Sequence, residues 1–292
     1  MDQHSVRRES RFLAAPDGLR LHYVDYRPAS DSGAIPVVCL AGLTRTALDF
    51  DALAQALARR GRRVLALDYR GRGLSDWDAD WTRYSLDVEE ADILATLAAA
   101  DVASAVFVGT SRGGIHLMRL AARQPEILRA VVLNDIGPVI DVGGLRRIKG
   151  YVGRQPGSAS MAIALAALKL VAGAQFGSLT QPEWEEWARS TFVETDGRLQ
   201  LCYDPALSHT LDEVGPDSGP ILFHDEWKAM AAIPTLVIRG GNSDLLSVET
   251  FAAMGDGHPL LERLTVPGQG HAPLLLDAPT IAAIGDFVER HG

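Results

Sequence analysis

The stretch Phe107–Gly114, FVGTSRGG, joins an apolar run to a helical pattern and decides how the rest of the chain is interpreted. The run Ala105–Val108 is continuously apolar, as in a strand buried on both faces, and apolar residues recur at helical spacing after Gly114. Between them, Gly109–Gly113 fits the pattern G-x-S-x-G, in which a tight strand-to-helix turn pushes the serine outward. Serine and glycine are also ordinary turn residues, so Ser111 is either a nucleophile or part of a plain turn.

Apolar runs of the same kind alternate with helical patterns along much of the chain. Strands are predicted at Leu19–Arg27, Pro36–Ala41, Val64–Leu67, Ala105–Val108, Ala130–Leu133, Thr235–Ile238 and Leu261–Val266. Helices are predicted at Asp51–Arg60, Asp87–Ala100, Val248–Met254 and Thr280–Arg290. Such alternation is typical of crossover units and predicts an α/β fold with a mostly parallel sheet.

The alternation stops between Gly137 and Asp225, where no clear strand run is found. Helix-like pieces replace it, at Gly144–Val152, Ser158–Ala174 and Gln181–Phe192. We therefore predict that residues 1–136 and 226–292 form the core and that residues 137–225 form a helical cap inserted after the strand Ala130–Leu133.

The bulk composition is that of an ordinary globular protein. The 292 residues are 47% hydrophobic and carry a formal net charge of −9, which argues against a nucleic-acid partner. The N-terminus lacks the apolar segment of a signal peptide, and the run Met161–Ala174, interrupted by Lys169, is too short to span a bilayer. Cys39 and Cys202 give neither a disulfide framework nor metal spacing. We expect a cytoplasmic protein with a small-molecule substrate, no membrane partner, and a homodimer as an open possibility.

A serine nucleophile needs a base, and His271 is the histidine with distinctive flanks. It lies in a Gly- and Pro-rich loop after the strand-like run Leu261–Val266. Parallel strands end together, so this loop is expected at the same sheet edge as Ser111. Two aspartates also follow strands at that edge, Asp135 and Asp244. Either can orient the imidazole, and either can instead be a turn or helix-cap carboxylate.

With these segments the chain resembles the α/β-hydrolase fold family over nearly its whole length. Gly109–Gly113, Gly240–Asp244 and Pro267–His271 follow the family's order of nucleophile, acid and histidine. Asp68–Ser75 is similar to the family's D-x-x-G-x-G-x-S loop; Asp76 stands where a dinucleotide-binding pattern has its third glycine, so a nucleotide site is rejected. Ala41–Thr44 occupies the place of the family's His-Gly oxyanion loop, with Ala41 where histidine is usual.

The resemblance implies a mainly parallel eight-stranded sheet flanked by helices, with an inserted helical cap. It implies that Ser111 is the nucleophile, that His271 is the base, and that neither a metal nor an organic cofactor is needed. It favours Asp244 as the acid, with Asp135 as the alternative because some members carry the acid after the sixth strand. The backbone N–H groups of Leu43 and Arg112 are then expected to hold the oxyanion.

The predicted cap carries two groups of residues that could contact a substrate. Arg146 and Arg147, with Lys149 and Arg154, are either a solvated cationic face or a site for a substrate carboxylate. Trp184 and Trp187 either wall an aromatic pocket or pack the cap.

We predict a serine hydrolase that cleaves an ester, lactone or related acyl bond of a small substrate through an acyl-enzyme. Two alternatives stay open: a carbon–carbon bond hydrolase of an acidic diketone, and a ligand-binding receptor with little turnover. Enzymes of this fold that use an aspartate nucleophile are disfavoured by Ser111.

Overall fold

The computed structural model describes residues 6–30, 33–154 and 160–292. Within these ranges the strands are β1 (Arg7–Ala14), β2 (Arg20–Arg27), β3 (Val37–Leu40), β4 (Val64–Asp68), β5 (Ala105–Thr110), β6 (Leu128–Asn134), β7 (Val139–Ile140), β8 (Phe192–Thr195), β9 (Arg198–Leu201), β10 (Ile221–Leu222), β11 (Thr235–Gly240) and β12 (Leu261–Val266). The α-helices are α1 (Asp51–Arg59), α2 (Leu86–Ala99), α3 (Arg112–Arg123), α4 (Val142–Lys149), α5 (Met161–Ala172), α6 (Gln181–Thr191), α7 (His224–Ala229), α8 (Val248–Ala253) and α9 (Ala278–His291).

Eight of the strands form one sheet in the order β1-β2-β4-β3-β5-β6-β11-β12. The pairs β1·β2 and β2·β4 are antiparallel, and all the others are parallel. Helix α1 contacts α9, while α3 contacts α2 and α7. Every residue of β3, β4 and β11 is buried. These strands are covered on both faces of the sheet, which explains their continuous apolar runs. The predicted mainly parallel eight-stranded sheet is therefore confirmed.

One strand of the sheet escaped the sequence prediction. Strand β1 has the sequence RRESRFLA and is mostly exposed, because it lies at the sheet edge and pairs only with β2. Its charged side chains give no buried face for periodicity to detect. Charged residues on an edge strand also discourage pairing with other chains.

The register of the central strands brings the candidate residues to one edge. Thr110 at the end of β5 pairs with Asn134 at the end of β6, and Asn134 pairs with Ile238 of β11. Ser111 and Asp135 each follow directly, and the loops after β11 and β12 carry Asp244 and His271. The expectation that these loops share an edge is met.

The segment between β6 and β11 is not wholly helical, which corrects the prediction for residues 137–225. Helices α4, α5 and α6 form as expected; Ser158, the predicted start of the second helix-like piece, lies outside the described residues. Strands β8 and β9 add a hairpin, and β7 pairs with β10. Asp196 and Gly197 between β8 and β9 both have positive φ, 52° and 70°. An Asp-Gly pair between two short alternating runs was the signal that could have predicted this hairpin.

The division of the chain at residues 137 and 225 stays a prediction. Helix α7 crosses the second of these boundaries and packs against α3 of the core.

Helix α5 is apolar nearly all round, a pattern that is typical of a helix packed on the core or lining a pocket. Instead Ala164 is its only buried residue, and Leu170 is 87% exposed. It packs against α6. No helix within the described ranges is long and apolar enough to cross a membrane.

Candidate active site

Ser111 stands at the turn between β5 and α3 in a conformation that is rare for a residue with a side chain. Its φ is 50° and its ψ is −111°. A Cβ on Gly113 would come within 2.1 Å of the Leu40 carbonyl oxygen, and one on Gly109 within 2.7 Å of the Gly113 backbone. Only glycine fits these two positions, so the sequence G-x-S-x-G is what allows the turn to expose Ser111.

Three side chains form one hydrogen-bonded chain at this edge. His271 Nε2 lies 2.9 Å from Ser111 Oγ, and His271 Nδ1 lies 2.8 Å from Asp135 Oδ2. An ionised carboxylate only accepts hydrogen bonds, so the neutral imidazole donates from Nδ1 to Asp135 and its Nε2 accepts from the Ser111 hydroxyl. This is the arrangement that makes a serine hydroxyl nucleophilic.

Asp135 is fixed by two further donors. The backbone N–H of Gly240 donates to Oδ1 over 2.7 Å, and the Ser243 hydroxyl donates to Oδ2 over 2.6 Å. The Asp135 side chain has no exposed surface, so its position and orientation are set entirely by the neighbouring loops.

The structure corrects the expectation that Asp244 orients His271. The Asp244 carboxylate accepts two bonds from Arg147 of α4, from Nε over 2.6 Å and from Nη2 over 2.9 Å. In this loop the Ser243 side chain faces Asp135, and the side chain of the next residue, Asp244, therefore faces α4. Burial tends to raise the pKa of the Asp244 carboxyl, but the Arg147 guanidinium and the nearby His271 outweigh it and hold that pKa below its ordinary value.

The backbone donors predicted for an oxyanion lie beside Ser111. A Cβ on Gly42 would be 3.8 Å from the Ser111 Cβ, so the loop at residues 41–44 runs past the serine. Arg112 begins α3, where N–H groups lack a partner within the helix. No described residue accepts a hydrogen bond from the backbone N–H of Leu43 or Arg112.

The Arg112 side chain points away from the candidate site. Its Nε donates to Glu89 Oε2 over 2.6 Å, and its Nη2 donates to the Tyr84 carbonyl over 2.9 Å. These two bonds give the side chain of Arg112 a structural role.

The cationic cluster of the cap is divided among different partners. Arg147 binds Asp244, and Lys149 donates to the carbonyls of Asp212 and Val214. Arg146 is exposed and forms no ion pair with a described residue. The structure therefore does not bring Arg146 and Arg147 together on one ligand.

The two tryptophans pack the cap. Trp184 is buried and stacks on Trp187 with ring centroids 5.2 Å apart, and Trp187 meets Phe176 at 4.7 Å. Arg45, which follows the loop at residues 41–44, lies over the Trp187 ring at 5.8 Å and donates to the hydroxyls of Ser190 and Thr191. Trp187 thus lies where α6 meets Arg45.

Sequence reasoning missed the buried ions beneath this site. Glu89 is fully buried and accepts from Arg72 Nη1, from Arg112 Nε and from His116. Arg72 lies inside the motif Asp68–Ser75, where the spacing of the glycines is the visible pattern. A Cβ on Gly73 would be 2.2 Å from the Asp68 carboxylate, so that loop packs against protein and offers no phosphate cradle. Among the described residues, no three His, Cys, Asp or Glu side chains gather as a metal site would require.

Comparisons with known proteins identify the family of the chain. The sequence model of the alpha/beta hydrolase fold family matches residues 35–278. The chain is 34% identical over 274 residues to a 3-hydroxybutyrate-oligomer hydrolase of Cupriavidus necator, covering 91% of this chain and 93% of that protein. It is 28% identical over 250 residues to a 2-(acetamidomethylene)succinate hydrolase of Mesorhizobium japonicum, covering 85% and 86%.

A solved structure is similar over nearly the whole length of both chains. The crystal structure of an alpha/beta hydrolase from Novosphingobium aromaticivorans superposes with a TM-score of 0.90 at 37% identity, covering 98% of this chain and 99% of that one.

Proposed function

The chain belongs to the alpha/beta hydrolase fold family and is a hydrolase, and on that premise we propose that it is a serine esterase acting through Ser111, His271 and Asp135. The observation that carries the proposal is the pair of hydrogen bonds joining the three side chains, 2.9 Å and 2.8 Å long. Asp135 replaces Asp244 as the proposed acid because Asp135 contacts the imidazole and Asp244 binds Arg147.

The reaction begins when His271 Nε2 takes the proton of Ser111 and the serine oxygen attacks the ester carbonyl. Asp135 holds the imidazolium that forms, and the N–H groups of Leu43 and Arg112 stabilise the oxyanion. The tetrahedral intermediate collapses and expels the alcohol, which takes the proton from Nε2. A water molecule then attacks the acyl-serine with His271 again as base, which releases the acid and restores Ser111.

We propose esters of small hydroxy acids as the first substrates to test. The relative at 34% identity is named for oligomers of 3-hydroxybutyrate, and its match runs over nearly the whole of both chains. Such an oligomer contains ester bonds and ends in a free carboxylate. The second relative is named for a succinate derivative, which also carries carboxylates.

Arg147 is the cap residue proposed to meet a substrate carboxylate. It comes from α4, reaches the loop after β11, and now holds the carboxylate of Asp244 in a two-pronged pair. A substrate carboxylate would take the place of Asp244 on the same guanidinium, whose planar geometry suits either anion. Arg146, exposed on the neighbouring position, has no such contact.

The test is hydrolysis of p-nitrophenyl butyrate and of a 3-hydroxybutyrate trimer by the wild-type protein and by Ser111→Ala. We expect steady turnover by the wild type and a loss of at least about 10³-fold in the variant. Wild type and Ser111→Ala that hydrolyse both esters equally slowly would refute the esterase proposal.

The alternatives give other results in the same assay. A receptor with little turnover would bind the trimer without releasing monomer. A carbon–carbon bond hydrolase would leave both esters intact and cleave an acidic diketone, with Ser111 still required.

A further inference from the structure

Three side chains converge on the carboxylate of Glu89, which lies on α2 with no exposed surface. Arg72 Nη1 donates to Oε1 over 2.7 Å, and Arg112 Nε donates to Oε2 over 2.6 Å. His116 Nε2 lies 3.0 Å from Oε2. Burial opposes the charge of Glu89, but Arg112 and Arg72 hold its pKa well below the ordinary value, so it remains a carboxylate.

Arg72 connects this carboxylate to the loop at residues 41–44. Its Nε donates to the carbonyl of Leu43 over 2.8 Å, while Nη1 also donates to the carbonyl of Arg70 over 2.7 Å. The guanidinium lies near the rings of Tyr69 and Tyr84, at 5.4 Å and 5.6 Å from their centroids. Acceptors thus hold Nε and Nη1, whereas the buried Nη2 has no hydrogen-bond partner among the described residues.

The backbone beside Arg72 is held as firmly as its side chain. The N–H of Gly73 donates to the carbonyl of Cys202, and the N–H of Asp204 donates to the carbonyl of Gly71, each over 2.8 Å. Arg72 itself pairs with Tyr203 as an isolated antiparallel bridge. The guanidinium therefore reaches Leu43 from a fixed base.

Glu89 is also joined directly to the turn that carries the nucleophile. Arg112 follows Ser111, and its side chain ends on the same carboxylate that holds Arg72. The two residues whose N–H groups are the proposed oxyanion donors, Leu43 and Arg112, are thus tied to one buried anion. Among the described side chains, Arg72 alone donates a hydrogen bond to the backbone of the loop at residues 41–44.

We propose that Arg72 and Glu89 are positioning residues of the oxyanion hole, which set the separation and orientation of the Leu43 and Arg112 N–H groups. The inference rests on the proposed function. It also explains how the loop at residues 41–44 is braced although Ala41 has no polar side chain: the brace comes from Arg72 beneath the loop.

The main test is Arg72→Lys, because lysine keeps the charge beside Glu89 but lacks the planar fork that reaches Glu89 and Leu43 together. The matched control is Arg70→Lys, which changes an equally buried arginine two residues earlier. Arg70 binds Asp92 through Nε and Nη2, over 2.7 Å and 2.8 Å, and its side chain makes no contact with Leu43.

Three quantities separate a positioning role from a structural one: kcat and KM for p-nitrophenyl butyrate, and the inhibition constant of a trifluoromethyl ketone. The ketone adds to Ser111 and leaves an oxyanion in the hole, so its affinity reports the alignment of the donors. For Arg72→Lys we expect kcat to fall about 10- to 100-fold with KM within about threefold. The inhibition constant should rise by the factor by which kcat/KM falls.

Arg70→Lys should leave kcat, KM and the inhibition constant within about threefold of the wild-type values. If Arg72→Lys behaves like Arg70→Lys, the inference is wrong. Wild-type turnover in the same assay reports on the esterase proposal separately, so the two failures are distinguishable.

Arg112→Met gives an independent measurement if Arg72→Lys does not fold. It removes a side chain at the rim of the network, 13% exposed, and retains the Arg112 backbone N–H. We expect the same joint loss of kcat and ketone affinity at unchanged KM. A folded Arg112→Met enzyme with wild-type kcat and ketone affinity would overturn the inference.

Discussion

His271 and Asp135 lie 136 residues apart in sequence, yet the imidazole Nδ1 is 2.8 Å from the carboxylate. The parallel register of β5, β6 and β11 makes this possible, since it ends the strands level beside Ser111. The second aspartate at that edge, Asp244, is held by Arg147 of the cap. One edge of the sheet therefore carries two aspartates with different partners.

Removal of the Arg147 side chain should weaken selection for anionic esters. Arg147→Ala takes away the cation and leaves Asp244 unpaired, so a substrate carboxylate meets a like charge instead of a guanidinium. We expect the ratio of kcat/KM for p-nitrophenyl hemisuccinate to that for p-nitrophenyl butyrate to fall about tenfold or more. Arg146→Ala, at the exposed neighbouring position, should leave the ratio unchanged; equal ratios in both variants would remove the carboxylate proposal.

A side chain at Gly113 should not be accommodated. A Cβ there would lie 2.1 Å from the Leu40 carbonyl oxygen, and the backbone of a central strand cannot move aside cheaply. Gly113→Ala should lower the free energy of unfolding by about 1–3 kcal/mol or more, measured by urea denaturation. Gly219→Ala is the control, because a Cβ there meets nothing within 4 Å. A Gly113→Ala protein as stable as Gly219→Ala would show that the turn is not as tight as described.

Stability should fall with acidification in part through His258. Burial lowers the pKa of this histidine, against the opposing effect of a hydrogen bond that the imidazole donates to the Trp227 backbone, and the imidazole stacks on the Trp227 ring with centroids 3.9 Å apart. The unfolded chain, with a pKa of about 6.5, then binds the proton more readily than the folded one. The contribution of His258 to the free energy of unfolding is therefore complete above the unfolded-chain pKa of about 6.5. It is lost as pH falls through the lower pKa of the folded protein.

His258→Phe keeps the stacked ring and removes the titration. We expect the difference in unfolding free energy between pH 8 and pH 5.5 to be smaller in this variant than in the wild type. A pH dependence unchanged by His258→Phe would contradict this assignment.

Periodicity and turn chemistry were enough to predict a mostly parallel sheet, all of its strands except β1, and the shared edge at which Ser111 and His271 lie. The runs at β3, β5, β6 and β11 are continuously apolar because both faces are covered, and that pattern is visible in one dimension. The exposed edge strand β1 and the half-exposed hairpin of β8 and β9 carry no such pattern. Their existence depends on pairing with neighbours that periodicity does not describe.

The choice between Asp135 and Asp244 could not be made from sequence, because strand order and spacing place both at the same edge. The deciding fact is which way each side chain faces within its loop. Ser243 turns inward to Asp135, so Asp244 turns toward α4 and Arg147. The pairing of Glu89 with Arg72 could not be predicted from sequence for a related reason. Each residue alone is typical of a solvated surface, and only the fold buries both together.

The most direct test of the central claim is the single-turnover acylation rate of Asp135→Asn compared with that of Asp244→Asn, both with p-nitrophenyl butyrate. An asparagine at position 135 cannot hold the tautomer that the serine requires, so we expect a loss of about 10³- to 10⁴-fold. Asp244→Asn should keep its acylation rate within about threefold of wild type. The reverse pattern, a nearly full rate in Asp135→Asn and a collapse in Asp244→Asn, would contradict the account.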